Sequence, residues 1–341
     1  MRIGAIAAAM SALRGSAWAQ GSRGSIDIHA HWSPEPYIKL VLAAGRTTRI
    51  PGKPIDPRMY DLDQRRKWMD ERGVRMNVLT LSGSMPWQWA KPDEAIQLAR
   101  AVNDAAIEAH TAFPSRFIAG AAVPIRDPAA ALNELNRIAG KAGIRAVGLP
   151  NSIEGRDYLF EPEYVPFLAR CEELGYPLLF HPLDGEANHY AGKERLGGPN
   201  FIYNTLGFPF ESATTAAKFI FSGLLDRFPK LDVVLPHSGG CFPYIAGRIE
   251  HSIAKGAVAT KLKLPVREYM RRFHYDSLAY YPETLRFMID LVGSDRIVIG
   301  TDIFATMDVA YPNALVDSLK LPAPDHERIM WRNAERLFHL G

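Results

Sequence analysis

The sequence predicts a (β/α)8 barrel. Three observations carry the prediction: from residue 25 onward short apolar, β-branched runs alternate with longer stretches of helical periodicity, the apolar runs number eight, and four of them end in histidine or aspartate. A doubly wound open sheet gives a similar alternation, but no glycine-rich phosphate turn follows the first run.

The first strand is read at Ser25–His31, where Ile26, Ile28 and Ala30 alternate with Asp27, His29 and His31. Amphipathic helical spacing then runs over Asp61–Arg72, and a second strand over Met76–Ser82. The pattern repeats as helix Asp93–Phe113, strand Phe117–Ile125, helix Pro128–Ala142, strand Ala146–Pro150 and helix Glu161–Leu174. Strand Pro177–His181 and helix Thr214–Arg227 come next, followed by strand Leu231–His237 and helix Cys241–Ile253. Strand His274–Ala279, helix Pro282–Val292 and strand Arg296–Asp302 complete the eight, with helices at Ala310–Leu319 and Asp325–Phe338 closing the chain. Two connections, Trp32–Pro57 and Pro182–Ser212, are too long for simple turns. Both follow the C-terminal end of a strand, where barrel loops build an active-site mouth, so both are read as substrate-covering insertions.

Composition sets the outer limits. At 341 residues with 47% hydrophobic and 23% charged residues, the chain has the apolar material for one large core, and barrels with insertions reach this length as a single unit, here 25–341. The 40 basic and 37 acidic residues are scattered, without the dense basic block that tracks a phosphate backbone, so nucleic acid is not an expected partner. Two cysteines, Cys171 and Cys241, exclude a disulfide framework and leave one bridge open. Residues 1–24 carry an Ala-rich run and Ala17-Trp18-Ala19, which reads as a signal-like or disordered N-terminal segment, with export to the periplasm or a cytoplasmic location as its two consequences. No later run is long and apolar enough for a membrane span.

Chemistry concentrates at the strand ends. A two-residue period puts His29 and His31 on one face, toward the barrel axis, where two neutral imidazoles can share a cation. The fifth strand ends in His181, the sixth in His237 and the eighth in Asp302, so five imidazole and carboxylate groups meet at one rim. Such donors suit zinc, with manganese or iron feasible, while calcium demands more oxygen ligands.

These residues sit within longer anchors: Asp27-Ile28-His29-Ala30-His31, Phe180-His181-Pro182, the run from Phe221 to Pro229, His237-Ser238-Gly239-Gly240 with Pro243 and Gly247-Arg248, and Gly300-Thr301-Asp302. Through them the sequence resembles the amidohydrolase superfamily, in the branch of metal-dependent decarboxylases of carboxylic acids, over nearly all of 25–340. The resemblance implies that His29, His31, His181 and Asp302 bind a divalent metal, zinc first and manganese as the alternative. It also implies that His237 is the catalytic acid/base with Asp302 assisting, that Arg248 grips a substrate carboxylate, and that the protein is a homodimer.

The implied activity is decarboxylation of an aromatic or unsaturated carboxylic acid, with hydrolysis or hydration at the same centre as alternatives. Two departures bear on the substrate. Asp302 is followed by Ile303-Phe304-Ala305 where the branch has an aromatic and a proline, and a second substrate arginine has three candidates, Arg49, Lys53 and Arg58 in the stretch after the first strand. His189, Asn200, Asn204 and Phe208 lie in the second insertion and are candidates for substrate contact.

Overall fold

The computed structural model describes residues 24–47, 54–81, 83–183, 202–258 and 260–340. Eight parallel strands, β1 Ser25–His31, β2 Val74–Thr80, β3 Phe117–Ala121, β4 Ile144–Pro150, β5 Leu178–His181, β6 Val233–Leu235, β7 Phe273–Asp276 and β8 Ile297–Val298, lie in sequence order in one sheet. The sheet curls on itself. Ile28 N donates to Ile299 O at 2.9 Å, Asp302 N to His29 O at 2.9 Å and His31 N to Ile303 O at 2.8 Å, so the segment after β8 closes onto β1. The result is the predicted (β/α)8 barrel.

The helices are α1 Glu35–Ala43, α2 Leu62–Glu71, α3 Pro92–Ala112, α4 Pro128–Ile138, α5 Val165–Leu174, α6 Phe208–Phe221 and α7 Leu224–Arg227. They continue as α8 Phe242–Ala254, α9 Val266–Met270, α10 Pro282–Val292, α11 Pro312–Ser318, α12 Ala323–Glu327 and α13 Asn333–Leu337. Local chemistry sets several starts. Asp61 accepts from the amides of Asp63 and Gln64 at the head of α2, and Asp127 from those of Ala129 and Ala130 at α4. Among the described residues no helix is long and apolar enough to cross a membrane.

Two layers of apolar side chains hold the barrel. Strand residues facing outward pack against the helices, with Phe167, Phe219 and Phe273 fully buried. Inside the barrel, Ile26, Ile28, Val78, Ile118 and Val234 form a second cluster joined by Leu337 and Phe338 of the C-terminal segment. Fully burying one side chain of this size stabilises the fold by about 1.5–3 kcal/mol.

Several predicted elements are longer than those observed. The strands expected at Phe117–Ile125, Leu231–His237, His274–Ala279 and Arg296–Asp302 stop at Ala121, Leu235, Asp276 and Val298. A ladder persists only while its neighbours run alongside, and past β6 and β8 the backbone turns sharply, with φ of 53° at His237 and 56° at Asp302. The helix expected over Thr214–Arg227 starts at Phe208 and breaks at Gly223, and that expected over Asp325–Phe338 is interrupted by a π turn at Arg328–Arg332. The first insertion carries α1, and both cysteines are free thiols. Residues 1–23, with their signal-like reading, lie outside the described residues, as do Arg49, Lys53, His189 and Asn200.

Candidate metal centre

The C-terminal rim gathers the five groups that the strand ends promised. His29 and His31 come from β1, His181 from the end of β5, His237 from the turn after β6 and Asp302 from the segment after β8. Ring centroids of His29, His31 and His181 stand 4.6–5.1 Å apart, and that of His237 is 5.4 Å from both His29 and His181. His29, His31, His181 and Asp302 are all buried. The donor atoms of His29, His181, His237 and Asp302 lie within 4.8 Å of one another. His31 instead points Nε2 directly at Asp302 Oδ1, 2.7 Å away.

Hydrogen bonds decide which ring nitrogen faces inward. His181 Nδ1 donates to the Pro182 carbonyl at 2.7 Å, which leaves Nε2 with its lone pair. His29 Nδ1 is 2.7 Å from Asp276 Oδ2. The Nε2 atoms of both rings are buried and have no hydrogen-bond partner, although Asp302 Oδ1 stands 3.4 Å from one and 3.7 Å from the other. Buried imidazole nitrogens left unpaired around a carboxylate are costly as a structural feature alone, and they form a donor set that suits a divalent cation.

Charge is divided unevenly among these groups. Burial pulls His29 down, but the Asp276 and Asp302 carboxylates outweigh it and hold its pKa up at about 10, so a cation at this centre has to displace the proton on Nε2. Burial also works against ionised Asp302, yet His181, His29 and His31 around it take its carboxyl well below the usual range. Burial takes His31 down to about 3 and His237 to about 4, against the pull of Asp302 in both cases.

A cavity opens beside His29 and His181, with apolar walls from Leu81, Met85, Trp87, Leu179 and Phe180. Gly120, Ala121 and Gly148 on β3 and β4 leave room in it. Phe208 stacks on His237, with ring centroids 6.0 Å apart and 21° between planes, while Asn204 is half-buried one turn earlier. Arg248 is exposed on α8. Arg58, of the three candidates for a second arginine the one that is described, is bound by Asp56 through Nε at 2.9 Å and Nη2 at 2.6 Å. Phe304 is buried, with Trp68 at 5.5 Å and the Arg58 guanidinium carbon 4.2 Å above its ring.

Sequence reading missed Asp276. It is the last residue of β7, 1% exposed, and receives His29, His237 and Ser238 on one carboxylate. The strand expected there runs on to Ala279, so the one available signal is an acidic residue within an expected strand.

Comparison with known proteins relates the chain and its fold to decarboxylases, one of them with bound manganese. The chain is 30% identical to 2-amino-3-carboxymuconate-6-semialdehyde decarboxylase of Dictyostelium discoideum, covering 86% of each chain. It is 32% identical to gamma-resorcylate decarboxylase of Rhizobium sp. (strain MTP-10005), over 85% of this chain and 92% of that one. The crystal structure of a dihydroxybenzoic acid decarboxylase from Polaromonas sp. JS666, with bound manganese and the inhibitor 2-nitroresorcinol, superposes with a TM-score of 0.78 at 27% identity, covering 94% of this chain and 98% of the other. Residues 26–340 match the family described as amidohydrolase, and with relatives this similar over most of their length the chain belongs to that family.

Proposed function

We propose that the protein is a metal-dependent decarboxylase of an aromatic or unsaturated carboxylic acid, with a divalent cation held by His29, His31, His181 and Asp302. The observation that carries the reading is the convergence of these side chains with His237 on one barrel rim, where the Nε2 atoms of His29 and His181 are buried without a hydrogen-bond partner. The activities named for the relatives support it, and the bound manganese of the Polaromonas structure supports a metal. Three imidazoles and a carboxylate suit zinc first and manganese second. When bound, such a cation supplies a Lewis acid that polarises a substrate oxygen.

The chain's own residues do the rest. The apolar cavity between Trp87, Met85 and Leu179 takes the flat body of the acid and keeps water from it. His237, with Nε2 3.9 Å from Asp302 Oδ2 at the same rim, is the group that passes a proton to the carbon that bears the carboxylate, with Asp302 beside it to share the transfer. The carbon–carbon bond then breaks, its electron pair stays on the ring or chain carbon as that carbon–hydrogen bond completes, and carbon dioxide leaves. Arg248, exposed on α8, grips a carboxylate in the site of a second copy within a homodimer, a role to which its bidentate guanidinium is matched.

Elemental analysis of wild type, His181→Ala and Asp302→Ala, beside carbon dioxide release from a panel of aromatic and muconic acids, tests the reading. About one zinc or manganese per chain, lost in both variants together with carbon dioxide release, is the expected result. A folded wild type that holds no metal, or one that turns over these acids without releasing carbon dioxide, overturns it.

A further inference from the structure

Asp276 ends β7 at the rim, almost fully buried, and its carboxylate collects four N–H donors. Oδ2 accepts from His29 Nδ1 at 2.7 Å and from the His237 amide at 2.9 Å, while Oδ1 accepts from the amides of Ser238 at 2.8 Å and Leu278 at 3.2 Å. The Asp276 carbonyl also accepts from Ser238 Oγ at 3.1 Å. A carboxylate can only accept, so the proton shared with His29 belongs on Nδ1, and Nε2 is the nitrogen left for the centre. His237 and Ser238 both sit at φ 53°, a left-handed conformation that costs energy for residues with a side chain and persists only where the surroundings enforce it. The two amides pointing into Asp276 supply that enforcement.

The close approach of these parts depends on Gly300. A Cβ there would fall 2.7 Å from Asp276 Cβ and 3.0 Å from His29 Cβ, so the segment after β8 can lie against both residues only if it has no side chain at this point.

We infer that Asp276 is a positioning residue: one carboxylate sets the ring nitrogen that His29 offers to the cation and, through the backbone, the place of His237. The inference rests on the function proposed above and extends it, since it couples cation affinity on β1 to proton delivery from the turn after β6.

Asp276→Asn keeps the shape but turns an NH2 toward either His29 Nδ1 and the His237 amide or the two amides on the other side, so at least one pairing becomes donor against donor. The test is a chelator-competition titration with zinc and with manganese on wild type, Asp276→Asn and Leu168→Ala. The last removes a buried side chain of α5 from the apolar layer between helices and barrel and controls for lost stability. The expected result is cation affinity about 10- to 100-fold weaker in Asp276→Asn and unchanged in Leu168→Ala. Equal affinity in Asp276→Asn and wild type, or equal weakening in both variants, overturns the positioning role. A wild type that binds neither cation overturns the proposed metal centre instead. Amide hydrogen exchange on the metal-free protein then decides the remaining claim: protection at His237 and Ser238 falls in Asp276→Asn if the carboxylate holds the turn, and undiminished protection overturns it.

Discussion

The hydroxyl of Thr301 donates to Asp27 Oδ2 at 2.7 Å and so fastens the residue before Asp302 to the strand that carries His29 and His31. Asp27 also accepts from the His29 amide at 3.2 Å and from Asn77 Nδ2 at 3.2 Å, all within the protein. Removing one donor from a buried carboxylate leaves charge less compensated, and hydrogen bonds to charged groups are worth about 1.5–3 kcal/mol. Thr301→Val, which keeps the shape, is expected to cost about 2 kcal/mol in urea unfolding and to weaken cation binding. An unchanged unfolding midpoint would show that this bond is not what joins the two strands.

Arg65 is the buried cation behind this network. It is fully buried on α2, with Nε donating to Asn77 Oδ1 at 2.9 Å and Nη1 to the His31 carbonyl at 2.9 Å and the Arg58 carbonyl at 3.3 Å. The planar fork serves three acceptors in different directions, which a lysine ammonium on a flexible stem does not reproduce. Arg65→Met and Arg65→Lys are both expected to lower stability by about 3 kcal/mol or more, because each unsatisfied buried acceptor costs about 1–3 kcal/mol. Full recovery in Arg65→Lys, read by denaturant midpoint, would mean that charge alone matters at this position.

Gly240 closes the turn that carries His237. Its φ is +62°, and a Cβ there would lie 2.1 Å from the Pro209 carbonyl oxygen, a backbone atom at the head of α6 that cannot swing aside. Gly240→Ala is therefore expected to push the turn and α6 apart, with about 2 kcal/mol or more of lost stability and a larger loss of carbon dioxide release than of bound metal. Metal content and turnover measured on the same sample separate the two effects.

The sequence made the alternation legible because β1 is long and strictly alternating, and because His181 ends β5, which otherwise holds only apolar residues. The same logic overran at β8, where Ile299–Ile303 still bonds to β1 but leaves the regular ladder as Asp302 takes up its left-handed conformation. Helix α1 was hidden inside an insertion read as loop, since Pro34 and Pro36 punctuate its start. Asp276 was invisible for a different reason. Its partners His29 and His237 lie 247 and 39 residues away in sequence, and only closure of the barrel brings them to one carboxylate.

Acid sensitivity should trace in part to His274, on β7. Both of its ring nitrogens are buried without a hydrogen-bond partner, and Asp232 Oδ1 is 3.8 Å from Nδ1. Burial, helped by Arg296 and Arg336, takes its pKa from 6.5 down to about 3. Above about pH 6.5 the residue is neutral in both folded and unfolded chains and contributes no pH dependence. As pH falls from there toward 3 the unfolded chain takes up a proton that the folded chain refuses, so stability declines, by at most about 1.4 kcal/mol per pH unit. Asp27 acts in the opposite sense. Burial lifts it to about 6, so the folded chain takes up its proton first and gains stability as pH falls through that range. The two effects overlap, which makes the difference between variants more informative than the wild-type curve. His274→Leu should flatten the loss of unfolding free energy between pH 6.5 and 5 relative to wild type, measured by urea titration at each pH. Parallel curves for the two proteins would assign the acid sensitivity to other groups and leave His274 as an inert member of the core.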